Sequence, residues 1–583
     1  MAHQRPIRIA NASGFFGDRH SALREIATGG PVDVITGDYL AEVTMTVLAK
    51  LRAKDPSAGY APTFLTQLAP VVDAVVERGI KIVVNAGGLN PAGLADKVRA
   101  LGSRHPKVAW LSGDDLAPRL AALRGGGARF ANLETGAELP ADPAFVITAN
   151  AYLGAWGIVR ALAMGADIVI CPRVTDASLV VGAAAWWHGW RRDDWDALAG
   201  AVAAGHIIEC GPQATGGNYS GFRSIADLGH PGFPIAEVAA DGSSVITKHP
   251  GHGGAVTVGT VTAQLVYEIA SARYLNPDVT THLESIQLAQ QATDRVALTA
   301  IAGSPPPPTT KVAITTHGPY RNEMIFAMVG LEIDAKIALL EQTTRTALAG
   351  VPLTLAFQRI GTAGPDAAAQ NDATTLLRIV ATSADERVVG RAFSSALIEQ
   401  GLSSYPGLFA LGLPGAASEA IGYWPALVDQ GALEVRVTHA DGTSEAIDLP
   451  PVMAVPAPAA VAPAAVFATG GATRRVPLGA IADARSGDKG SDANVGLWVR
   501  TDEAFAWLRG ELTIARLREL LPEAAGLAID RHELANLRAL NFVIHGLLQG
   551  GAIASVRLDH QAKALGEFLR SRWVDAPLVL LDP

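Results

Sequence analysis

The stretch "GADIVICPRVTDASLVVG", residues 165–182, decides the fold class, because an apolar run leads directly into Cys171, Pro172, Arg173 and Asp176. A continuous run of Val and Ile is typical of a strand that is buried on both faces of a parallel sheet. The apolar residues that follow Asp176 predict a helix. Arg173 and Asp176 therefore stand at the end of a buried strand, where a loop that only turned the chain would need neither.

Five similar apolar runs precede this stretch and alternate with helical patterns. They are "IRIANAS" (7–13), "VDVITGD" (32–38), "KIVVNAGG" (81–88), "KVAWLSGD" (107–114) and "AFVITANAY" (144–152). Strands that alternate with helices indicate an α/β fold with a mostly parallel sheet in the N-terminal region. Because one sequence predicts the number of strands better than their order, a doubly wound sheet and a barrel-like variant both stay open.

Polar residues follow these predicted strands. The carboxyl ends of parallel strands open on one side of a sheet, where ligands bind. We therefore expect a crevice in which Asp176 or Asp38 exchanges protons with a substrate. We expect the substrate to be bound by Arg173, Asn85, Asp114 and Asn150. The alternative is structural, because Asn and Asp also cap helices and an Arg–Asp pair often serves the fold alone.

Two glycine-rich loops follow the strand region, "ECGPQATGGNYSGF" (209–222) and "KHPGHGGAV" (248–256). In the first loop, Cys210 is a candidate nucleophile only if a cation lies near it, since Glu209 opposes ionisation of the thiol. We also expect Asn218 to bind substrate. In the second loop, glycine frees backbone N–H groups to bind an anion. The side chains expected to help are those of Lys248, His249 and His252. A buried cysteine and a plain polar loop are the alternatives, and we predict no metal site.

The rest of the chain divides by composition. After "GSPPPPTT" (303–310), a β-β-α-β-β-α order predicts an α+β region over about 310–450. This region and the α/β part of about 1–300 together form an N-terminal domain of residues 1–450. Uncharged Ala and Pro over 451–473 are typical of a linker. A C-terminal domain then covers 474–583 and contains "SGDKGSDAN" (486–494). That stretch lacks the GxxxxGK[ST] spacing of a phosphate loop, so a latch between domains is the alternative.

The composition excludes several classes of protein. With 49% hydrophobic and 18% charged residues, the chain is globular and not disordered. A net charge of −9 without a Lys/Arg run predicts neither a nucleic-acid partner nor a membrane partner. Two cysteines without CxxC spacing exclude a zinc ribbon and a disulfide framework. Because no segment resembles a signal peptide or a membrane span, we expect a cytoplasmic protein.

Several long motifs, taken together, resemble the acyclic terpene utilization AtuA family. They are "GFFGDR" (14–19), "NAGGLNP" (85–91), "GADIVICPRVTDASL" (165–179), the two glycine-rich loops, "ARSGDKGSDANVG" (484–496) and "LRALNFVIHGLL" (537–548). The resemblance covers nearly the whole chain. It implies a large N-terminal domain joined to a small ferredoxin-like C-terminal domain. It also implies a role in the catabolism of terpenoid or other branched acids as coenzyme A thioesters.

The strand-end residues predict an enzyme, the resemblance implies acyl-CoA catabolism, and the absence of signatures for redox cofactors and ATP favours a lyase. We expect hydration or dehydration, or carbon–carbon lysis, next to the thioester of a branched or terpenoid acyl-CoA. No cofactor is predicted, since GxGxxG, GxSxG and HExxH are absent and coenzyme A enters only as part of the substrate. The expected partner is a small-molecule acyl-CoA or organic acid, and we expect a homo-oligomer. The alternative is a non-catalytic protein that binds acyl-CoA or organises neighbouring enzymes through its C-terminal domain.

Overall fold

A computed structural model describes residues 5–459, 467 and 471–581 of the chain. These residues form two compact units. The first contains the residues up to Thr315, Tyr423–Ala552 and those from Asp559 onward, and the second contains Thr316–Gly422 and Ile553–Leu558. Part of the predicted linker, residues 460–466 and 468–470, lies outside the described residues.

The strands and helices are numbered in chain order. The strands up to residue 316 are β1 (Ile7–Asn11), β2 (Val34–Gly37), β3 (Lys81–Val84), β4 (Val108–Ser112), β5 (Val146–Ala151), β6 (Ile168–Ile170), β7 (Pro234–Val238), β8 (Ser244–Lys248), β9 (Arg273–Leu275), β10 (Thr280–His282), β11 (Gln287–Ala292), β12 (Arg295–Thr299), β13 (Ala302–Ser304) and β14 (Thr309–Thr316). The later strands are β15 (Tyr320–Val329), β16 (Thr354–Ile360), β17 (Thr374–Ser383), β18 (Leu408–Ala410), β19 (Ser418–Glu419), β20 (Gly422–Asp429), β21 (Arg436–Thr438), β22 (Ser444–Ala446), β23 (Thr473–Pro477), β24 (Asp483–Lys489), β25 (Asp492–Trp498), β26 (Ile529–Leu534), β27 (Ala539–Ile544) and β28 (Trp573–Pro577). The helices are α1 (Ala22–Gly29), α2 (Glu42–Lys54), α3 (Pro62–Leu68), α4 (Val72–Glu77), α5 (Pro91–Arg99), α6 (Leu120–Gly125), α7 (Trp156–Ala163), α8 (Ser178–His188), α9 (Trp195–Ile208), α10 (Val258–Leu265), α11 (Ile333–Ala347), α12 (Phe393–Ile398), α13 (Asp502–Glu511), α14 (Ile514–Leu520) and α15 (Leu565–Ser571).

The first unit is built on an eleven-stranded sheet in the order β11-β12-β8-β7-β1-β2-β3-β6-β4-β21-β22. Its five central strands, β1, β2, β3, β6 and β4, pair in parallel. The strands on both sides of them pair antiparallel. The prediction of a mostly parallel sheet is therefore wrong, because hairpins such as β7–β8, whose short turn permits only antiparallel pairing, extend the parallel strands. In the described part of the chain the sheet stays open, so the barrel-like variant is wrong as well.

The predicted strand at 144–152 does form, as β5, but it lies outside the large sheet. It belongs to a three-stranded sheet in the order β20-β14-β5. Two isolated bridges nevertheless tie its carboxyl end to the loops after β4 and β6, Asp115 to Asn150 and Leu153 to Val174. Asn150 is thus delivered to the same edge as the residues that follow the parallel strands.

The central strands are buried on both faces, as their continuous apolar runs predict. Along β3, Val83 contributes to one core while Ile82 and Val84 contribute to the other. Helices α7, α8 and α9 supply the first core, and α1, α3, α4 and α5 supply the second. Because successive side chains of a strand point to opposite faces, helices on both sides bury every apolar residue of the run.

The C-terminal part of the first unit has a four-stranded antiparallel sheet, β24-β25-β27-β26, and its own core under α13, α14 and α15. Along β25 the side chains alternate. Val495 and Leu497 face that core, whereas Gly496 lies against Val266 of the N-terminal region, and a Cβ at Gly496 would sit 2.5 Å from the Val266 side chain. Glycine at this position therefore allows the sheet to pack closely on the N-terminal region.

The second unit contains the sheet β16-β17-β15-β18, with β19 paired to β15, and the helices α11 and α12. Its core is formed by residues of the long strands β15 and β17 and of both helices, among them Phe326, Ile379, Leu340 and Phe393. Among the described residues, no helix has both the length and the apolar character needed to cross a membrane.

Candidate functional site

The carboxyl ends of β2 and β3 hold a buried carboxylate, that of Asp38. Asn85 donates from Nδ2 to Asp38 Oδ1 over 2.5 Å, and its Oδ1 accepts from the backbone N–H of Tyr39 over 2.7 Å. The backbone N–H of Leu40 also donates to Asp38, over 3.0 Å. Asn85 therefore fixes the Asp38 side chain at the edge of the sheet. Both residues are buried.

Arg173 follows β6 and is held from several sides. Its Nη1 donates to the Leu40 carbonyl over 2.8 Å and to Asp176 Oδ1 over 3.2 Å. Its Nη2 donates to the Tyr152 hydroxyl over 2.9 Å, and the guanidinium lies 4.3 Å above the centre of the Tyr152 ring. The Arg173 side chain is only 4% exposed, while Asp176 is 29% exposed. Asp176 is therefore the member of this ion pair that a solute can reach.

A second carboxylate, Glu42 at the start of α2, completes this group. Its Oε1 accepts from the Tyr152 hydroxyl over 3.0 Å and lies 3.7 Å from Lys311 Nζ. We call the following residues the Arg173 cluster: Asp38, Glu42, Asn85, Tyr152, Arg173 and Asp176. Five elements supply it: the ends of β2, β3, β5 and β6, and the first turn of α2.

The carboxyl groups of the Arg173 cluster have opposite pKa shifts. Burial raises the pKa of Asp38 well above its ordinary value, and the negative charge of Asp176 raises it further. Burial also raises the pKa of Asp176, although the charge of Arg173 opposes the rise. For Glu42 burial is outweighed by the positive charges of Lys311 and Arg173, which hold its pKa at about 2. One site thus contains a carboxylate that stays ionised and two carboxyl groups that bind protons more readily.

Asp114 and Asn150 form hydrogen bonds that hold the backbone of Arg173. Asp114 Oδ2 accepts from Asn150 Nδ2 over 2.7 Å and from the backbone N–H of Arg173 over 3.2 Å. Burial raises the pKa of Asp114 to about 7. Both residues were expected to bind substrate. Their contacts instead fix the backbone on which Arg173 stands, so the structure gives them a supporting position, and their predicted binding role remains a prediction.

A buried histidine and a buried carboxyl lie next to the cluster at the end of α9. His206 Nδ1 lies 3.1 Å from Glu209 Oε1, and the other polar atom of each side chain has no hydrogen-bond partner. Burial lowers the pKa of His206 to about 4 and raises that of Glu209 well above its ordinary value. Cys210 follows directly. Burial and the charge of Glu209 raise the pKa of its thiol, so its surroundings disfavour the thiolate that a nucleophile needs.

The C-terminal domain contributes to the same edge through the β24–β25 hairpin. Lys489, the last residue of β24, donates from Nζ to the Glu268 carbonyl over 2.8 Å. Lys563 Nζ pairs with Glu268 Oε1 and Asp488 Oδ1, each over 3.0 Å, and donates to the Tyr267 hydroxyl. The charge of Lys489 affects the pKa values of Asp176, His206 and Glu209 in the N-terminal region. The hairpin therefore brings its charged residues into the electrostatic field of the Arg173 cluster.

The glycine-rich loop after β8 makes its contacts with residues outside the Arg173 cluster. Lys248 Nζ pairs with Asp294 over 2.9 Å and donates to the His252 carbonyl over 2.6 Å. His249 Nε2 lies 3.1 Å from the Ile26 carbonyl, and its ring centre is 5.5 Å from that of His252. Among the residues that the structure describes, no hydrogen bond or ion pair joins this loop to the Arg173 cluster. Its three candidate residues therefore form a local network of their own.

Asn218, the remaining candidate, is exposed and has a left-handed backbone with φ of 55°. Its carbonyl accepts from Arg485 Nη1 over 3.2 Å, and Arg485 Nη2 donates to Gln213 over 2.6 Å. The Arg485 guanidinium also lies 4.3 Å above the Tyr267 ring. The first glycine-rich loop therefore binds Arg485 of the C-terminal domain through the Asn218 carbonyl and the Gln213 side chain.

The residues that sequence reasoning missed are those contributed from a distance: Glu42, Tyr152, His206, Glu268, Lys311, Lys489 and Lys563. A signal was available for two of them. Glu42 stands four residues after Asp38, and Lys489 is the basic residue in the glycine-rich "GDKG" stretch. In the described residues, no group of three or more His, Cys, Asp or Glu side chains is arranged to hold a metal ion.

Two protein-family models match the chain, one in its N-terminal region and one in its C-terminal region. A model described as "Acyclic terpene utilisation family protein AtuA" matches residues 7–439, and one described as "AtuA ferredoxin-like domain" matches residues 476–575. No curated protein matches the chain. The first match alone covers well over half of the sequence, which confirms the resemblance inferred from the motifs. The chain therefore belongs to the acyclic terpene utilisation AtuA family.

Proposed function

We propose that the protein is a lyase that adds or removes water, or cleaves a carbon–carbon bond, next to the thioester carbonyl of a branched or terpenoid acyl-CoA. The observation that carries this proposal is the opposite pKa shift of carboxyl groups within one cluster. Glu42 is held ionised at a pKa of about 2, whereas the pKa values of Asp38 and Asp176 are raised. Groups whose pKa values are separated in this way are typical of sites that use one residue as acid and another as base.

Under this proposal three groups of the cluster have separate roles. Asp176 is partly exposed and lies against the Arg173 guanidinium, so it can give a proton to a leaving hydroxyl and be left as a carboxylate beside a positive charge. Arg173 stabilises negative charge that develops at the site, an effect that is large where water is excluded. Asp38, buried and fixed by Asn85, is a second carboxyl group whose raised pKa lets it hold a proton at the site. The family's connection with acyclic terpenes supports a branched, apolar acyl chain as substrate.

The proposal is tested by incubating the protein with a panel of branched and terpenoid acyl-CoA thioesters, saturated, unsaturated and 3-hydroxylated, and following mass changes by chromatography and mass spectrometry. Asp176→Asn is expected to bind the thioester and to lose at least about 100-fold in turnover, the usual range for a general acid. Asp167→Asn is the matched control, because Asp167 pairs with Lys81 at the opposite end of β6.

Turnover by the wild type that Asp176→Asn loses and Asp167→Asn keeps supports the proposal. Saturable binding of the thioesters without any turnover would contradict it and would favour the alternative, a non-catalytic acyl-CoA-binding partner. Equal turnover by all three proteins would place the chemistry elsewhere in the chain.

A further inference from the structure

The β24–β25 hairpin reaches the site for a structural reason. A Cβ at Gly487 would lie 2.5 Å from the Tyr267 ring, so only glycine lets β24 run this close to the N-terminal region. At the tip, Gly490 has a left-handed φ of 70°, and Ser491 donates its backbone N–H to Glu134 over 2.8 Å and also donates its hydroxyl. The tip is therefore fixed at both sides of Lys489 by contacts with the N-terminal region.

The two lysines that the C-terminal domain brings to this edge differ in their partners. Lys563 forms ion pairs with Glu268 and Asp488, and these charges raise its pKa. Lys489 forms no ion pair in the described part of the chain, and the hydrogen bond of its amine goes to the uncharged carbonyl of Glu268. Glu268 itself has a left-handed φ of 56°, and its N–H donates to Asn494 over 2.7 Å. A strained backbone that is fixed from both sides is typical of a functional site.

The charges that face Lys489 come from several elements. Burial lowers its pKa, and the positive charge of Lys311 on β14 lowers it further, while acidic groups oppose the shift. The groups around it are Lys311, Glu268, Glu42, Asp176 and His206. A lysine that is desolvated beside another cation holds its amine uncharged more readily than an exposed one, and an uncharged amine is a base.

We propose that Lys489 is a catalytic residue of this site and takes the proton from the carbon next to the carbonyl of the acyl thioester. This role rests on the proposed function. In a dehydration, the C–H bond breaks, its proton moves to Lys489 Nζ to form an ammonium, and its electron pair forms the new C=C bond. The C–O bond at the neighbouring carbon breaks at the same time or afterwards, and the hydroxyl leaves as water with the proton of Asp176. Transfer of the proton from the ammonium to the carboxylate, through solvent, restores both groups.

Two measurements test this role. The first follows exchange of the α-protons of isovaleryl-CoA in D₂O by NMR, a probe that has no hydroxyl to lose and so reports the base alone. Wild type and Asp167→Asn are expected to exchange, whereas Lys489→Met and Lys489→Arg are expected to lose at least about 100-fold in exchange rate. Lys54→Met, at the exposed end of α2, is the matched control and should exchange like the wild type.

The second measurement uses no substrate. Trace acetylation of the whole protein at a series of pH values, read peptide by peptide in a mass spectrometer, should give Lys489 a reaction midpoint below the ordinary pKa of a lysine amine. A midpoint at or above that ordinary pKa, or exchange retained in both Lys489 variants, would overturn the role of Lys489. If the wild type neither turns over thioesters nor exchanges α-protons, the proposed function fails, and this role fails with it.

Discussion

Two groups of polar residues stand at strand ends in the first unit, the Arg173 cluster and the loop of Lys248, His249 and His252. Both combine cations with hydrogen-bonding groups, and both follow buried strands. They differ in where their partners come from. In the part of the chain that the structure describes, Lys248 forms one ion pair, with Asp294, whereas Arg173 is surrounded by Asp38, Glu42 and Asp176 from separate elements. The difference teaches that residue type at a strand end does not identify a candidate site. What distinguishes such a site from a local network is the presence of several competing charges from elements that are separate in sequence.

Removing the central cation of each group is expected to have the largest effect. Arg173→Met leaves Asp38, Glu42 and Asp176 without their guanidinium and should lower the free energy of unfolding by about 3 kcal/mol, the cost of breaking a buried pair from one side. Lys248→Met leaves Asp294, which is 28% exposed, and should cost only about 1 kcal/mol. Urea denaturation of both variants measures this difference, and thioester turnover should be lost only in Arg173→Met. Equal loss of stability in the two variants would remove the distinction between the groups.

The pH dependence of stability should show that Asp114, which holds the backbone of Arg173, has a raised pKa. The folded-state pKa of Asp114 is about 7, above its ordinary value, so the folded protein keeps a proton that the unfolded chain releases. Asp114 therefore costs increasing stability as the pH rises from about 4 to about 7. In Asp114→Asn this cost is absent, and the variant should gain about 2 kcal/mol over wild type between pH 5 and pH 8.

Glu42→Gln is the control of opposite sign for that experiment. The pKa of Glu42 is about 2, so its stabilisation is present above its ordinary pKa of 4.5 and is lost only as the pH falls toward 2. This variant should be less stable than wild type by nearly the same amount at pH 5 and at pH 8. Parallel pH profiles of wild type and Asp114→Asn would show that Asp114 has an ordinary pKa.

A third variant tests whether the cluster depends on the C-terminal hairpin. In Gly487→Val the new side chain collides with Tyr267, so the hairpin must move, at a cost of about 1–3 kcal/mol. Turnover should fall at least 10-fold, because Lys489 moves with the hairpin. Gly510→Ala in α13 is the matched control, since its Cβ meets no atom within 4 Å and alanine favours a helix. Calorimetry and turnover of both variants would show whether a well-folded Gly487→Val protein keeps its activity, which would separate the hairpin from the site.

The smallest effect is expected at Cys210. Because burial and the charge of Glu209 raise the pKa of this thiol, Cys210→Ala should keep turnover within about 3-fold of wild type. Alkylation by iodoacetamide at pH 8 should likewise be slower than that of free cysteine. Loss of turnover in a stable Cys210→Ala protein would restore the candidate nucleophile that its place in the glycine-rich loop suggested.

Local patterns predicted the central strands because their apolar runs are continuous. The rule that parallel strands end at one edge also predicted the neighbours Asp38, Asn85, Arg173 and Asp176. The mixed character of the sheet could not be predicted, because β21 and β22 return to it from more than 300 residues beyond β4. For the same reason Lys311 was missed, because its proximity depends on packing between elements and leaves no spacing signal in the sequence. Glu42 and Lys489 do stand in recognisable stretches, but nothing in those stretches shows that packing brings them to the same edge. The roles of the predicted residues remain predictions.

The close packing of the two domains also constrains how their sequences change over generations. Gly496 tolerates Val266 only because it has no side chain, and the same holds for Gly487 and Tyr267. A larger residue on one surface therefore has to be matched by a smaller one on the other, so these positions should vary together among relatives. If the two domains were separate polypeptides, the fraction assembled would depend on their concentrations by mass action. A cell would then have to produce them in equal amounts to bring Lys489 and Lys563 of one domain to Lys311 of the other.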